Sequence, residues 1–207
     1  MKNLNLTYLE NEPETEPEEK KPVVKGEDPF SERFLKTRTI LLNGEVDKDL
    51  AEKVVKQLLI MDDASHDTIT ILVDSPGGDV YSGFSIYDTI RFVSSPVRVI
   101  GMGLVASAAA LIFLAVPKER RFGLPNSSYL IHQPLSGIEG VATEIEIHAR
   151  ELEKTKVRLN EIIAEATGQT LERVAKDTDR DYWMNANEAQ EYGILSKIVT
   201  KRAELPN

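Results

Sequence analysis

Apolar positions along the chain come in two kinds: short dense runs and longer periodic stripes. Arg38 to Val46, RTILLNGEV, is a dense run closed by an Asn43-Gly44 turn signal, and it predicts a strand. Leu50, Val54, Leu58 and Met61 then recur every third or fourth residue and predict a helix over that span, with Asp49 and Glu52 at capping-box spacing. Asp62 to Asp67 is a polar connection carrying His66, read as an exposed surface histidine. Thr68 to Ser75, TITILVDS, predicts a second strand that runs through Pro76, Gly77 and Gly78 into a helix from Val80 to Val93. Ser95-Pro96 breaks the chain before the stretch around which it is organised, Val97 to Val116. There the pattern predicts a buried strand, a tight turn through Gly101 and Gly103, and a buried helix beginning near Ser107.

Beyond Pro117 the polar KERR marks a surface turn, and Ser128 to Ile131 predicts a strand ending at His132-Gln133-Pro134. A loop with Pro134 and Gly137 leads to a helix over Ala142 to Thr167, stopped by Gly168. Its apolar stripe is Ile145, Ala149, Leu152, Leu159, Ile163 and Ala166. A long helix with charged residues on its other faces is expected to project and to pack on a second subunit. A short helix from Leu171, a capped helix between Asn185 and Gly193, and a last strand over Ile194 to Thr200 complete the pattern. Strands alternate with helices throughout, so the fold class is α/β.

Composition narrows the function. The chain has 207 residues, 41% of them hydrophobic, which suits one domain with a real core. A net charge of -9 argues against a nucleic-acid partner, which would need clustered Lys and Arg. The absence of cysteine excludes disulfides and thiol catalysis, and three histidines without an HExxH make a metal site unexpected. There is no Walker A sequence and no GxGxxG, so no cofactor is expected and ATP is not expected to bind this chain. No apolar run reaches signal-peptide or membrane-spanning character, which makes a cytoplasmic location the expectation and a membrane partner unexpected. Residues 1–28 read as an acidic tail, because ENEPETEPEEKK, Glu10 to Lys21, has nothing to bury. The catalytic domain is expected over 29–201, with a short C-terminal tail over 202–207.

Ser107 at a strand-to-helix turn has what a nucleophile needs: exposure, a fixed direction and backbone N–H groups beside it. The plainer reading is a buried helix serine bonded to a nearby carbonyl. His132, at the end of a strand, is the best placed of the three histidines to serve as a base. Gly77-Gly78 can aim N–H groups at an anion, or form a plain strand-to-helix turn. For the third member of a triad the residues leave Asp74, Asp79, Asp177, Asp179 and Asp181 open.

Several long segments, in order, resemble the ClpP family of caseinolytic serine peptidases. They are SPGGDVYSGFSIYDTI from Ser75, GLVASAAA from Gly103, RFGLPNSSYLIHQP from Arg121, ATEIEIHARELEKTK from Ala142, ATGQ from Ala166 and DTDRDYWMNANEAQEYGI from Asp177. Together they cover about Phe30 to Thr200. The resemblance implies a ClpP/crotonase-like fold with the long helix as a projecting handle. It implies Ser107 as nucleophile, His132 as base, Asp181 as the orienting acid, and the N–H groups of Gly78 and Ala108 as the oxyanion hole. It further implies heptameric rings stacked as a tetradecamer, homo- or hetero-oligomeric, with Arg180 at a ring contact. Unfolded proteins would be the substrates, fed by a Clp-type AAA+ unfoldase that uses the ATP. Two departures stand out. Val105-Ala106-Ser107-Ala108-Ala109 stands where many family members have Ala-Ala-Ser-Met-Gly or a near variant, and the N-terminal segment is not the family's usual one. They suggest a divergent paralogue working with a second ClpP-type subunit. The competing readings are a catalytically weak or regulatory ring subunit, and an acyl-CoA enzyme of the crotonase superfamily.

Overall fold

The computed structural model describes residues 31–206, so the expected tail over residues 1–28 lies outside the described residues. A short helix, α1 (Ser31–Lys36), leads into β1 (Thr39–Val46), α2 (Lys48–Ala64), β2 (Ile69–Gly78), α3 (Val80–Phe92) and β3 (Val97–Ala106). Then come α4 (Ala108–Phe113), β4 (Arg121–Gly123), β5 (Ser128–Ile131), α5 (Ala142–Thr167), α6 (Leu171–Asp177), β6 (Tyr182–Asn185), α7 (Ala186–Tyr192) and β7 (Lys197–Ile198). The strands form one seven-stranded sheet with the path β1-β2-β3-β4-β7, all parallel, from which β5 branches off β3. Helical crossovers between parallel neighbours are what an α/β chain requires.

Alternation along the strands divides the sheet into two faces. Ile40 and Leu42, with Ile69, Ile71 and Val73, join residues of α2, α3 and α4 in the main core. On the other face Ile100, Phe122 and Val199 make a small second cluster, with Leu72 and Leu205 against it. Leu205 follows a 3-10 turn over Arg202–Glu204, so the end of the described chain is held against the sheet.

β3 serves two partners in succession. Val99 to Gly101 pair with β4, and Leu104 to Ala106 pair with β5. Tyr129 fills the fork: its fully buried phenol oxygen accepts from Ser127 Oγ at 3.0 Å. A Cβ on Gly123 would lie 2.5 Å from the Tyr129 hydroxyl, and one on Gly101 would collide with it too. Burial pushes the Tyr129 hydroxyl pKa up to about 12, opposed by the Ser127 bond.

Several sequence expectations are corrected here. Asn43-Gly44 does not end β1; the strand continues through a bulge at Gly44. The α2 cap is Asp47, whose carboxylate accepts from Leu50 N at 2.8 Å, rather than Asp49 with Glu52, because the extended backbone at the end of β1 leaves Asp47 outside the first turn. Gly101 and Gly103 lie within β3 instead of making a turn. α4 stops at Phe113, and the apolar residues on to Val116 continue as a buried turn. Arg121 of KERR is not on the surface. It is 3% exposed, and its guanidinium donates to Ala166 O at the end of α5 and to Ile194 O just past α7. Burial lowers its pKa to about 10, against the raising charges of Glu119 and Tyr87. The last strand shrinks to Lys197–Ile198, while β4 and β6 were not predicted.

α5 matches its predicted limits and ends at Gly168. Its second half is packed, with Leu159 and Ile163 buried, and Arg158 stacks over Phe84 of α3 at 4.1 Å. Its first half stands away from the core, with Ile145 and Ile147 exposed. No helix among the described residues is long and apolar enough to cross a membrane.

Candidate active site

The site sits at the carboxyl ends of β2, β3 and β5. Ser107 lies between β3 and α4 with φ 55 and ψ -123, in the half of conformational space that costs a side chain energy. Its backbone is tied on both sides. Ser107 N donates to Leu130 O of β5 at 3.0 Å, and Ser107 O accepts from Ala110 N at 3.0 Å. The end of β2 passes directly beneath this turn. A Cβ on Gly77 would lie 2.5 Å from Ala106 O and 2.6 Å from Ser107 Cβ, and one on Gly78 would lie 2.5 Å from Val46 O. Both glycines also have positive φ, 88 and 149, so they are required by space and by backbone angle together.

His132 follows β5 immediately. Its Nε2 is 2.8 Å from Ser107 Oγ, and its Nδ1 is 3.0 Å from Asp181 Oδ1. The pairing of strands explains this meeting. β6 runs antiparallel to β5 with Tyr182 opposite Ile131, so the next step along the ladder sets Asp181 across from His132. The acid's approach is further held by Gln133, whose N donates to Thr178 O and whose Nε2 donates to Asp179 O, both at 2.6 Å. Thr178 is itself fully buried, with its hydroxyl 2.9 Å from Asn160 Oδ1 of α5.

The other acids left open by the sequence have other tasks. Asp74 accepts from Leu104 N at 3.0 Å, and Asp177 accepts from Tyr192 OH at 3.0 Å. Asp79 caps α3 through Ser82 N at 2.7 Å. Burial pushes the Asp79 carboxyl up, but hydrogen bonds from Ser82 and Tyr81 and the charge of Lys48 outweigh it and hold it below the usual carboxylate range. Asp179 meets the site through its carbonyl. Arg180 is exposed beside Asp181.

Ser107, Ala108, Gly78 and His132 line one cleft of about 390 Å³. Ala108 is the first residue of α4, whose N–H has no acceptor within the helix. Its small side chain also fits its setting, because a Cβ on Gly83 of α3 would lie 3.2 Å from Ala108 Cβ. Apolar residues of α4 and α5, among them Leu111, Leu152 and Ile163, form the cleft's wall. His66 is exposed, with Nδ1 3.3 Å from Asp62 Oδ1. His148, dismissed by sequence as part of a charged helix, reaches the cleft and lies 2.7 Å from Ser136 Oγ. Gln133, Thr178 and Asn160 were not singled out either. Their only sequence signal is that Gln133 adjoins His132.

Comparison with known proteins bears on the chain as a whole. The family model "Clp protease" matches residues 25–202. A protein of Treponema denticola named ATP-dependent Clp protease proteolytic subunit 2 is 60% identical over 190 residues, 91% of this chain and 95% of that one. A Rhizobium etli protein named ATP-dependent Clp protease proteolytic subunit 3 is 52% identical, covering 83% of this chain and 89% of its own length. Among solved structures, a mutant of ClpP1 from Listeria monocytogenes superposes with a TM-score of 0.79 at 47% identity, covering 84% of this chain and 98% of that chain.

Proposed function

The chain belongs to the Clp protease family, and from that premise we propose how its residues divide the work of peptide hydrolysis. It is a Clp protease proteolytic subunit, a serine endopeptidase. The observation that carries the assignment is the continuous hydrogen-bonded line Ser107 Oγ, His132, Asp181, with steps of 2.8 and 3.0 Å.

Asp181 accepts a hydrogen bond from the Nδ1–H of His132, which leaves Nε2 as the acceptor for the Ser107 hydroxyl. As Ser107 Oγ attacks the scissile carbonyl carbon, its proton passes to Nε2. The oxyanion forms against the N–H groups of Gly78 and Ala108, each such donor being worth roughly 2.7–4 kcal/mol. The C–N bond breaks, and His132 returns the proton to the leaving amine. Water then gives a proton to His132 and attacks the acyl carbon; the ester bond to Ser107 Oγ breaks and the proton returns to Oγ. The apolar wall of the cleft supports an apolar side chain next to the scissile bond.

The exposed apolar residues on the first half of α5 support ring stacking, in this reading as paired heptamers with Arg180 at a contact between subunits. A Clp ATPase would feed unfolded chains to the assembly in the cytoplasm and hydrolyse the ATP. The relatives' subunit numbers, 2 and 3, are consistent with a paralogue that assembles with another ClpP-type subunit. The test is labelling of the purified protein with a fluorophosphonate, with site and assembly mass read on the same sample. Label on Ser107, lost in His132→Ala, is expected. A stable ring that takes no label would instead favour a subunit kept for assembly.

A further inference from the structure

Asp181 is carried by a turn whose two ends meet one side chain. The turn runs from Asp177, the last residue of α6, through Thr178, Asp179, Arg180 and Asp181 to Tyr182, the first residue of β6. Tyr192, the last residue of α7, is 3% exposed and reaches both ends. Its hydroxyl donates to Asp177 Oδ2 at 3.0 Å, and its ring lies against that of Tyr182 with centroids 5.6 Å apart. Arg173 closes the cluster: its guanidinium stands 5.0 Å over the Tyr192 ring, and its Nε lies 3.4 Å from Asp177 Oδ2. Burial pushes the Tyr192 hydroxyl pKa up, and the bond to Asp177 and its charge push it further, against the charge of Arg173. The phenol therefore keeps its proton and donates. Tyr192 is itself anchored to the end of α5. Its carbonyl accepts from Gln169 Nε2 at 2.8 Å, and a Cβ on the next residue, Gly193, would collide with Thr167 O.

We propose that Tyr192 is a positioning residue for peptide hydrolysis: by gripping Asp177 and Tyr182 it holds the turn between them so that Asp181 stays on His132, a role that rests on Asp181 being the acid of the catalytic line. Among the described residues the Asp181 carboxylate bonds only His132, and it is 61% exposed. Its direction therefore has to come from its backbone. Gln133 holds the middle of the turn, at Thr178 O and Asp179 O, and Tyr192 holds its ends. With only the middle pinned, the turn can pivot about the Gln133 bonds and carry Asp181 away from the imidazole. With both ends pinned to a buried ring, that pivot is blocked. The bond at Asp177 is sheltered, since that side chain is only 15% exposed, so water competes poorly for it.

Peptide hydrolysis and the rate of fluorophosphonate labelling at Ser107, measured on the assembled full-length protein, test this. Tyr192→Phe removes one hydroxyl and keeps the ring. It should lower kcat about five- to tenfold with KM nearly unchanged, the scale expected when a reacting group is slightly displaced, and labelling should slow by the same factor. Asp177→Asn keeps an acceptor for the phenol and should lose less than Asp177→Ala, which also supplies the measurement from the partner side should Tyr192→Phe fold poorly. In the Asp181→Asn background Tyr192→Phe should slow labelling by no more than about twofold, because the carboxylate it positions is gone. A residue that only holds the fold together would act alike in both backgrounds. Wild-type kcat in Tyr192→Phe, a raised KM with kcat intact, or an equal loss with and without the Asp181 carboxylate would each overturn the proposal. Wild-type hydrolysis by Asp181→Asn would instead overturn the catalytic line, and the role of Tyr192 with it.

Discussion

The two sides of the proposed catalytic line are built differently. Ser107 sits on core: Ala106, Ala108 and Ala109 around it are 2%, 5% and 0% exposed, and Gly77 presses on the turn from beneath. Asp181 stands at the sheet's edge with its side chain 61% exposed, placed by the short β5–β6 ladder and by the Gln133 bonds. The direction of Ser107 is thus over-determined by close packing, which leaves no room for a methyl group on Gly77. The acid's position rests on a few hydrogen bonds next to solvent, where a neighbouring subunit or a surface change can shift it. Arg180, exposed beside Asp181, lies on the adjustable side.

Substitutions can break or sharpen this contrast. The largest effect is expected from Ser107→Ala, which should cut peptide hydrolysis roughly 10⁵–10⁶-fold with thermal unfolding little changed, read by peptidase assay and calorimetry. Asp181→Asn should cost about 10⁴-fold in kcat, again without loss of stability, since an exposed carboxylate is replaced by its isostere while the imidazole takes the wrong tautomer. Gly77→Ala should affect both quantities. The added methyl meets Ala106 O and Ser107 Cβ, so turnover should fall about 10²-fold and stability by about 1–3 kcal/mol. If Gly77→Ala kept full activity, the packed side would not be rigid as described. Gln133→Leu should lower kcat only severalfold with KM nearly unchanged, because it loosens Asp181 without touching substrate. An effect as large as that of Asp181→Asn would mean the acid side has no slack.

The smallest effect belongs to a carboxylate outside the site. Hydrogen bonding to Ser95, outweighing burial and aided by backbone N–H groups of Ser95 and Ser94, holds Asp62 down to about 2. Since its folded value lies below the unfolded one, its contribution is fully present above about pH 4 and is lost as pH falls toward 2. Asp62→Asn should flatten that part of the stability–pH curve, read from melting temperatures, and leave activity at neutral pH alone.

The strand–helix alternation, the serine turn, the His132 position and the limits of α5 were all legible from local pattern, because each depends on periodicity or on residues adjacent in the chain. The α/β class and the ClpP-like fold followed from the same segments. The acid was another matter. Local chemistry left five aspartates open, and only the resemblance singled out Asp181. Asp181 meets His132 through a pairing of β5 with β6, two four-residue strands some fifty positions apart, the second set among polar residues that hide it in the sequence. Arg121 shows the same limit. Its neighbours mark a surface turn, yet its guanidinium is buried against carbonyls contributed by α5 and by the residue just past the α7 cap. Sequence by itself determined most of the segments that become strands and helices, and it offered a serine, a histidine and a choice of acids as candidates for the chemistry. Tertiary structure decided which distant residues meet, because register and burial are set by partners that a local window does not contain.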